Sequence, residues 1–343
     1  MDKKTFFEAQ RKLLPEMDTL LKKRYRMLQI IYLQGPIGRR TLAEALQLTE
    51  RDIRNEMQIL NEQQLIDIHS KGMVCTEIGE AALEQLKELF HELTGIAKKE
   101  QKLKEAFNID HVIIVHGNVE TDSTTYAMLG KEANSVLVDY AKPNSQIAIT
   151  GGSSVAAMGP YLQPQKPLNT AQFIAARGGI GDEMTMQANT LVAQFAAKSN
   201  SKYRTLFLPE QLSEQAYSAM KEEPIVKEMM ALYDEVNIVI HGIGAAEEMA
   251  ERRNSSEKDK ALLLKKGAVG EAFGYYFDEQ GQIVHHIRTV GIQLEQVKKS
   301  DVVIAIAGGI HKAKAIQAYF KNAAKQTVFI TDESAANEIL KHI

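Results

Sequence analysis

Ile147-Ala148-Ile149-Thr150-Gly151-Gly152-Ser153-Ser154 is the run from which the interpretation of this chain starts. Apolar and β-favouring residues lead into two glycines and two hydroxyls, and an amphipathic helical pattern opens directly afterwards. The pattern predicts a buried strand that feeds a tight turn at a helix N-terminus. Glycine lets the backbone approach a ligand closely, and the first N–H groups of a helix have no partner inside it. Such a turn suits a bound anion, most often a phosphate, although an ordinary strand–helix turn can have the same sequence.

The same pattern of a strand followed by a helix recurs from His111 to Ile343. Runs of near-continuous apolar residues alternate with amphipathic helical patterns. They predict strands at 112–115, 147–152, 173–176, 204–208, 238–244, 302–309 and 327–330, and helices at 123–140, 187–199, 214–233, 312–320 and 333–341. Strands of this kind, alternating with helices, indicate an α/β fold with a doubly wound, mostly parallel sheet. The Asp278–Gly281 turn, flanked by apolar runs, predicts a β-hairpin that interrupts the alternation.

Four of the predicted strands end in glycines, at 151–152, 178–181, 242–244 and 308–309. In open α/β sheets, ligands bind outside the carboxyl ends of the strands, where the strand order reverses. Four cations lie close in sequence to these turns and could offset the charge of a ligand with two phosphates: Arg177, Arg252, Arg253 and Lys312. Arginines at strand ends are also common as plain surface residues. Glu271 could accept a sugar hydroxyl, or it could be a carboxylate at a helix start.

The composition is that of an ordinary globular protein. The 343 residues are 44% hydrophobic and 25% charged, and the chain is long enough for two or more domains. No apolar run reaches the length of about 18 residues that a membrane span needs. Met1–Glu8 lacks the pattern of a signal peptide, and the single cysteine, Cys75, excludes an intramolecular disulfide and a cysteine-rich zinc site. We therefore expect a cytoplasmic protein with no membrane partner, metal or cofactor.

The net charge of −3 is unevenly distributed along the chain. Residues 1–75 hold 13 Lys and Arg against 10 Asp and Glu, which leaves the rest of the chain at −6. A basic N-terminal module on an acidic body indicates a polyanion as the partner of that module alone.

The first 76 residues have the pattern of a winged helix-turn-helix. Helices are predicted at 16–34, 40–46 and 50–63, with Thr49 as the N-cap of the third. Ile53, Met57 and Leu60 fall on one apolar face of that helix. Two short β runs at 65–76, around a Lys-Gly turn, predict the wing. We thus expect an all-helical module, apart from this wing, ahead of the α/β domain.

Polar side chains on this module are candidates for contacts with DNA. Arg, Asn and Gln read purine edges in the major groove, and Arg and Lys contact phosphates. The candidates for phosphate contacts are Arg39, Arg40 and Lys71, and those for base contacts are Arg51, Arg54, Asn55 and Gln58. The alternative is a solvated helical bundle with no nucleic-acid role.

Residues 77–107 are helical in pattern, with a break expected at Gly95. The apolar stripe of this segment is Leu83, Leu86, Phe90 and Leu93. It could be core packing or a dimer seam, because a dimeric reader of palindromic DNA needs such a helix. We divide the chain into a DNA-binding domain (1–90), a linker helix (91–110) and a ligand-binding domain (111–343).

Short motifs along nearly the whole chain resemble the SorC family of sugar-responsive transcriptional repressors. They are Lys12-Leu13-Leu14-Pro15, Pro36-Ile37-Gly38-Arg39-Arg40, Ala176-Arg177-Gly178-Gly179, Gln187-Ala188-Asn189-Thr190, Ala250-Glu251-Arg252-Arg253-Asn254 and Glu271-Ala272-Phe273-Gly274-Tyr275-Tyr276-Phe277. The resemblance implies a winged helix-turn-helix joined to a sugar-phosphate-binding domain that is similar to glucosamine-6-phosphate deaminase. It also implies a homo-oligomer, a dimer or a tetramer, that binds operator DNA.

The resemblance further implies fructose 1,6-bisphosphate as the inducing effector of a repressor of glycolytic genes. Fructose 6-phosphate and triose phosphates stay open as ligands. The implied effector site consists of Gly151, Gly152, Ser153 and Ser154 around one phosphate, with Arg177, Gln187, Arg252, Arg253, Glu271 and Lys312 as the remaining contacts.

The alternative from another class of protein is a sugar-phosphate isomerase or deaminase with an added DNA-binding domain. The deaminases carry a Gly-Ile-Gly-x-Asp-Gly-His signature that supplies their catalytic residues. Here Gly242-Ile243-Gly244 is followed by Ala246 where the aspartate belongs and Glu248 where the histidine belongs. Because that acid/base pair is absent, proton transfer by this route has no agent, and we expect no enzyme activity.

Overall fold

A computed structural model of the chain describes residues 12–181 and 183–343. The chain forms two compact units, Met1–Lys98 and Lys99–Ile343. The signal-peptide expectation for Met1–Glu8 lies outside the described residues. None of the helices that the structure describes is long and apolar enough to cross a membrane.

The first unit contains the predicted helices and hairpin in the predicted order. Its helices are α1 (Pro15–Gln34), α2 (Arg39–Leu46), α3 (Glu50–Glu62) and α4 (Glu77–Thr94), and its antiparallel hairpin is β1 (Ile66–His69) and β2 (Gly72–Cys75). This arrangement confirms the winged helix-turn-helix.

The start of α3 follows from its capping residues. The Asp52 N–H donates to Thr49 Oγ1 at 3.2 Å, and the Thr49 N–H donates to the Asp52 carboxylate at 3.4 Å. This reciprocal pair satisfies two N–H groups that the helix cannot, and it confirms Thr49 as the N-cap. Behind the cap, the apolar face formed by Ile53, Met57 and Leu60 is buried in the core of the unit.

The apolar stripe of α4 packs into the same core. Leu83 and Phe90 are buried, and the Phe90 ring stacks on Tyr25 of α1 with 4.0 Å between the ring centroids. The helix ends at Gly95, whose φ of +73° is a left-handed conformation that favours glycine. A further helix, α5 (Ile96–Phe107), follows directly. The core-packing interpretation of the stripe therefore holds for these two residues.

A seven-stranded parallel sheet forms the centre of the second unit, as the sequence predicts. The strands are β3 (His111–Val115), β4 (Gln146–Ile149), β5 (Gln172–Ala175), β6 (Lys202–Arg204), β7 (Ile238–Gly242), β12 (Val302–Ile306) and β13 (Thr327–Asp332). Their spatial order is β3-β13-β12-β7-β4-β5-β6, and neighbours pair in parallel. Strands β4 and β7 are adjacent at the point where the strand order reverses.

Helices connect these strands. They are α6 (Ser123–Tyr140), α7 (Ser153–Ala156), α8 (Ala188–Ser199), α9 (Glu214–Glu222), α10 (Pro224–Asp234), α11 (Ala246–Arg252), α12 (Glu257–Lys265), α13 (Leu294–Lys299), α14 (Ala313–Phe320) and α15 (Glu333–Leu340).

Two boundary predictions are wrong. The single helix predicted over 214–233 is two helices, because Pro224 lacks the N–H that a continuous helix needs and instead opens α10. The strand predicted over 204–208 overlaps the observed β6 at Arg204 alone, and Phe207 beyond β6 is 84% exposed. Its apolar side chain therefore does not mark a buried strand.

A second, antiparallel sheet has the strand order β11-β10-β9-β8, with β8 (Gly244–Ala245), β9 (Ala268–Ala272), β10 (Tyr275–Asp278) and β11 (Ile283–His286). It contains the predicted hairpin, whose turn is closed by the Asp278 carboxylate, which accepts from the N–H groups of Gln280 and Gln282. Glu271 lies in β9, so its interpretation as a helix-start carboxylate is wrong.

Candidate functional site

The turn after β4 has the close backbone packing that its glycines indicate. A Cβ on Gly151 would lie 2.3 Å from the carbonyl oxygen of Met186, and Gly152 has a φ of +116°. The Gly152 N–H donates to that same carbonyl at 2.9 Å. Side chains other than hydrogen are thus excluded here, and the first N–H groups of α7, from Ser153 and Ser154, follow immediately.

A pocket lies at this turn, where the carboxyl ends of β4 and β7 meet. Its cavity volume is about 50 Å³, which is room for a few water molecules. The lining residues are Thr150, Gly151, Gly152, Ser153, Ser154, Val155, Arg177, Gly242, Ile243, Gly244, Glu248, Met249, Arg252, Glu271, Phe273 and Lys312. The structure therefore brings together eight of the ten predicted effector contacts, at the sheet position where α/β folds bind ligands.

Three cations in this pocket have hydrogen-bond donors to spare. Within the described part of the chain, the side chains of Arg252 and Lys312 form no hydrogen bond or salt bridge. Arg177 is 10% exposed at its side chain, and its ion-pair partner Glu210 lies 3.6 Å away, beyond hydrogen-bonding distance. Of the three, Arg177 is buried, Lys312 is half-buried and Arg252 is exposed. A buried cationic donor such as that of Arg177 is normally satisfied, so its place in this pocket fits an anionic ligand.

Burial acts on the titration of two of these cations. It lowers the pKa of Lys312, and the nearby Glu248 carboxylate opposes that change in part. Burial likewise lowers the pKa of the Arg177 guanidinium, against the attraction of Glu210 and Glu271. A bound anion would favour the charged form of both side chains.

Two carboxylates also line the pocket. Burial would raise the pKa of Glu271, but Arg253 and Arg177 outweigh it and hold that pKa below its usual value. The Glu271 carboxylate accepts from the Gly274 N–H at 2.6 Å and from Arg253 at 2.9 Å. As an ionised acceptor it can bind a sugar hydroxyl but repels a phosphate. Glu248 lies 3.2 Å from His311 Nε2.

Two predicted effector contacts, Gln187 and Arg253, lie outside the lining residues. The Gln187 side-chain amide pairs with the backbone of Ile180, accepting from its N–H at 2.9 Å and donating to its carbonyl at 2.6 Å. Arg253 is 2% exposed at its side chain and forms ion pairs with Glu210 and Glu271. Neither side chain faces the cavity in this structure.

Across residues 12–181 and 183–343, no group of three or more His, Cys, Asp or Glu side chains is arranged to hold a metal ion.

A groove of about 540 Å³ lies between α3 and the hairpin of the first unit. Four predicted DNA contacts line it: Arg39, Arg54, Gln58 and Lys71. Sequence reasoning missed three further polar lining residues, Asn61, His69 and Ser70. Asn61 could have been found, because it follows Gln58 by three positions and Arg54 by seven, on the same helix face.

The other predicted DNA contacts are exposed but do not line the groove. Arg51 and Asn55 are on the exposed side of α3, and Arg40 pairs with Glu44 at 3.1 Å at the start of α2. Surface pairs of this kind are weak and easily exchanged for a phosphate.

Comparisons with known proteins assign both units. A family model for a sugar-binding domain matches residues 91–341, and one for the CggR N-terminal DNA binding domain matches residues 20–90. The central glycolytic genes regulator of Priestia megaterium is 44% identical over 98% of this chain and 99% of its own length. That of Bacillus subtilis is 40% identical over 97% of this chain and 98% of its own length.

The fold matches a solved structure as well. A SorC family transcriptional regulator from Enterococcus faecalis is 39% identical, covers 71% of this chain and 99% of its own, and superposes with a TM-score of 0.67. These relatives are transcriptional regulators and not enzymes, which confirms the expectation drawn from the missing deaminase signature.

Proposed function

We propose, from the premise that this chain belongs to the SorC family of transcriptional regulators, that it is a repressor that fructose 1,6-bisphosphate releases from operator DNA. The chain is a transcriptional regulator of glycolytic genes with a DNA-binding and a sugar-binding domain. The proposal adds repression, the identity of the effector and the place where it binds. We keep the division into a DNA-binding domain (1–90), a linker helix (91–110) and an effector domain (111–343).

The observation that carries the effector assignment is the set of three cations without hydrogen-bond partners at the strand ends. Arg177, Arg252 and Lys312 converge on a glycine-walled turn. Guanidinium and ammonium groups bind phosphate by charge-assisted hydrogen bonds. Three of them suit two phosphates better than one, which favours the bisphosphate over fructose 6-phosphate.

The remaining pocket residues supply contacts for the sugar. The N–H groups and hydroxyls of Ser153 and Ser154 can bind one phosphate together with the Gly151–Gly152 backbone. Glu271 is an ionised acceptor that suits a sugar hydroxyl, and its charge disfavours a phosphate at the same position.

The groove of the first unit is the proposed contact with operator DNA. Arg54 and Gln58 project into it from α3, and Arg39 and Lys71 lie at its sides. We assign base contacts to α3 and phosphate contacts to the wing and to the start of α2, as in other winged helix-turn-helix proteins. Arg51, Asn55 and Arg40 would meet the DNA beyond the groove. Two half-sites require a homo-oligomer, a dimer or a tetramer, which acts in the cytoplasm.

Release follows from linkage between the two sites. The residues that line the pocket come from several separate segments of the second unit, so binding of the bisphosphate can shift these segments relative to one another. If that shift favours a state in which the paired DNA-binding domains no longer match two half-sites, the effector weakens DNA binding.

The test is fluorescence anisotropy of the full-length protein on DNA from upstream of its own gene. Fructose 1,6-bisphosphate is titrated at fixed salt, because phosphate contacts make DNA affinity depend on salt. Fructose 6-phosphate and inorganic phosphate are the controls. We expect the bisphosphate alone to release the DNA. Tight DNA binding that is indifferent to every sugar phosphate would refute the effector assignment, and absence of DNA binding would refute the repressor.

The variant Arg252→Ala separates the two sites. Arg252 lines the pocket of the second unit, so we expect its loss to leave DNA affinity intact and to abolish the response to the bisphosphate. An unchanged response would contradict the location of the effector site.

A further inference from the structure

Arg253 lies at the centre of a buried ion-pair network beside the effector pocket. Its Nε and Nη2 donate to the two oxygens of Glu210 at 2.6 and 3.1 Å, and Nη2 also donates to Glu271 at 2.9 Å. Its Nη1 donates to the Tyr276 hydroxyl at 3.1 Å. The side chains of Arg253, Glu210 and Glu271 are each no more than 3% exposed.

Glu210 also lies beside the pocket cation Arg177, at 3.6 Å. The backbone keeps it there, because the Glu210 N–H donates to the Gly179 carbonyl at 3.0 Å and the Gly179 N–H donates to the Leu208 carbonyl at 2.9 Å. Gly179 is two residues from Arg177, so the segments that carry the carboxylate and the guanidinium are tied together. Movement of the chain therefore cannot readily separate them.

A competing cation can keep them apart, and Arg253 is placed to do so. It occupies both Glu210 oxygens with parallel N–H donors, the strongest geometry for a guanidinium and a carboxylate. Glu210 is thereby held towards Arg253, with its nearer oxygen 3.6 Å from Arg177, so the donors of Arg177 stay available to the cavity. Two arginines and two carboxylates also leave this cluster neutral before an anion arrives.

We propose that Arg253 and Glu210 form a positioning pair for the effector site. Arg253 does not touch the effector. It binds Glu210 so that Arg177 can bind a phosphate, and it orients Glu271 for a sugar hydroxyl. This inference rests on the proposed function for the identity of the ligand. Its structural part, the competition of Arg253 and Arg177 for Glu210, is independent of that function.

Removal of Arg253 should make Glu210 weaken the binding of the effector. In Arg253→Met, two carboxylates face one guanidinium, so Glu210 pairs with Arg177 and the cluster gains a net negative charge. In the double variant Arg253→Met with Glu210→Gln, the competing carboxylate is gone and neutrality returns. In Glu210→Gln alone, the charge near Arg177 becomes more positive.

The binding test is calorimetric titration of the full-length variants with fructose 1,6-bisphosphate, with the melting temperature of each as a record of folding. We expect Arg253→Met to weaken binding about tenfold or more, the double variant to recover to within about threefold of the unsubstituted protein, and Glu210→Gln to bind more tightly. The control is Arg288→Met, at an exposed arginine of the same unit, with no expected change.

A double variant that binds as weakly as Arg253→Met would overturn the inference, because Arg253 would then contact the ligand itself. So would weaker binding by Glu210→Gln, which retains Arg253 and tests the idea even if Arg253→Met does not fold. An unchanged affinity in Glu210→Gln alone, beside a loss in Arg253→Met, would indicate a merely structural role of Arg253 and would likewise overturn the inference.

A crystal structure of ligand-free Arg253→Met, or of Arg253→Leu if the first does not crystallise, tests the inference without any effector. We expect Arg177 to approach Glu210 to hydrogen-bonding distance, about 2.9 Å. A separation that stays at 3.6 Å would refute the competition. Because this readout needs no sugar phosphate, its failure is distinguishable from a failure of the proposed function.

Discussion

Arg24 Nε lies 2.7 Å from Glu56 Oε2, so a carboxylate on the inner side of α3 is tied to α1. Lys23 Nζ lies 3.0 Å from the other oxygen, and Glu56 is 8% exposed. Burial would raise the pKa of Glu56, but the hydrogen bonds from Arg24 and Lys23 outweigh it and hold that pKa below its usual value. The helix that presents Arg54 and Gln58 is therefore held by charge as well as by the apolar core.

We expect Glu56→Gln to destabilise the first unit by about 1–3 kcal/mol, because it leaves two partly buried cations without their counter-charge. Urea denaturation of the full-length protein, followed by circular dichroism, measures the change. The matched control is Glu44→Gln, which removes an exposed partner of Arg40 and should change stability by under about 0.5 kcal/mol. Equal effects of the two substitutions would contradict the role of Glu56.

The groove predicts different effects for base and phosphate contacts. Arg54→Ala should weaken operator binding by about 1–3 kcal/mol and relax the preference at one base pair. Lys71→Ala should weaken binding to all sequences alike and reduce the salt slope by about one. Anisotropy on single-base operator variants at several salt concentrations separates the two. A sequence-dependent effect of Lys71→Ala would place the wing on the bases instead.

Gly151→Ala should abolish effector binding. The added Cβ would lie 2.3 Å from the Met186 carbonyl oxygen, so the turn that carries the N–H groups proposed to bind phosphate must shift. Gly159→Ala is the control, because its Cβ would meet only Phe195 at an ordinary 3.5 Å. Titration with fructose 1,6-bisphosphate, next to thermal melting of both variants, gives the comparison. Full affinity in Gly151→Ala would remove this turn from the site.

Effector affinity should fall as the pH rises through the pKa of Lys312. Burial lowers that pKa, and a bound phosphate favours the charged form. Binding is therefore strongest below the pKa and weakens above it, with uptake of a proton. Lys312→Arg should remove this dependence, because a guanidinium stays charged. Titrations of both proteins over a range of alkaline pH test this, and identical pH profiles would exclude Lys312.

Acid should weaken the link between α5 and the effector domain. Hydrogen bonds from His116 and Lys99, against the effect of burial, lower the pKa of Glu333 to about 2. Because this pKa lies below that of the unfolded chain, the contribution to stability is complete above about pH 4.5 and disappears as the pH falls towards 2.

Glu333→Gln should consequently cost about 1–3 kcal/mol at neutral pH and progressively less in acid. Glu338→Gln, at an exposed pair with Lys341 on the same helix, is the control. Denaturation curves at several pH values provide the measurement, and a cost for Glu333→Gln that is independent of pH would contradict the assignment.

Periodic features made most of the fold predictable. The strand–helix alternation, the Thr49 cap and the break at Gly95 are local patterns, and each is confirmed. The glycines at the strand ends were enough to predict that Gly151 and Arg177 line one pocket, because parallel strands end at the same edge of a sheet. The two-residue strand β8 is too short to produce a recognisable pattern, so only the hairpin of the antiparallel sheet was predicted.

The directions in which individual side chains point could not be predicted from the sequence. Arg252 and Arg253 are adjacent and of the same type, yet one lines the pocket and the other is buried in an ion-pair network. Glu210 escaped notice because it lies in an irregular segment between β6 and α9, where no periodicity predicts burial. Its partners come from two separate segments, around Arg177 and at Arg253, and such contacts exist only in the folded chain.

The central claim is that the effector pocket and the DNA-binding groove are linked. Its most direct test is the affinity of fructose 1,6-bisphosphate for the full-length protein, measured by calorimetry in the free state and in the presence of saturating operator DNA at the same salt. Linkage requires operator DNA to weaken effector binding by the same factor by which the effector weakens DNA binding. We predict this reciprocal loss. Equal effector affinity with and without operator DNA would contradict the account.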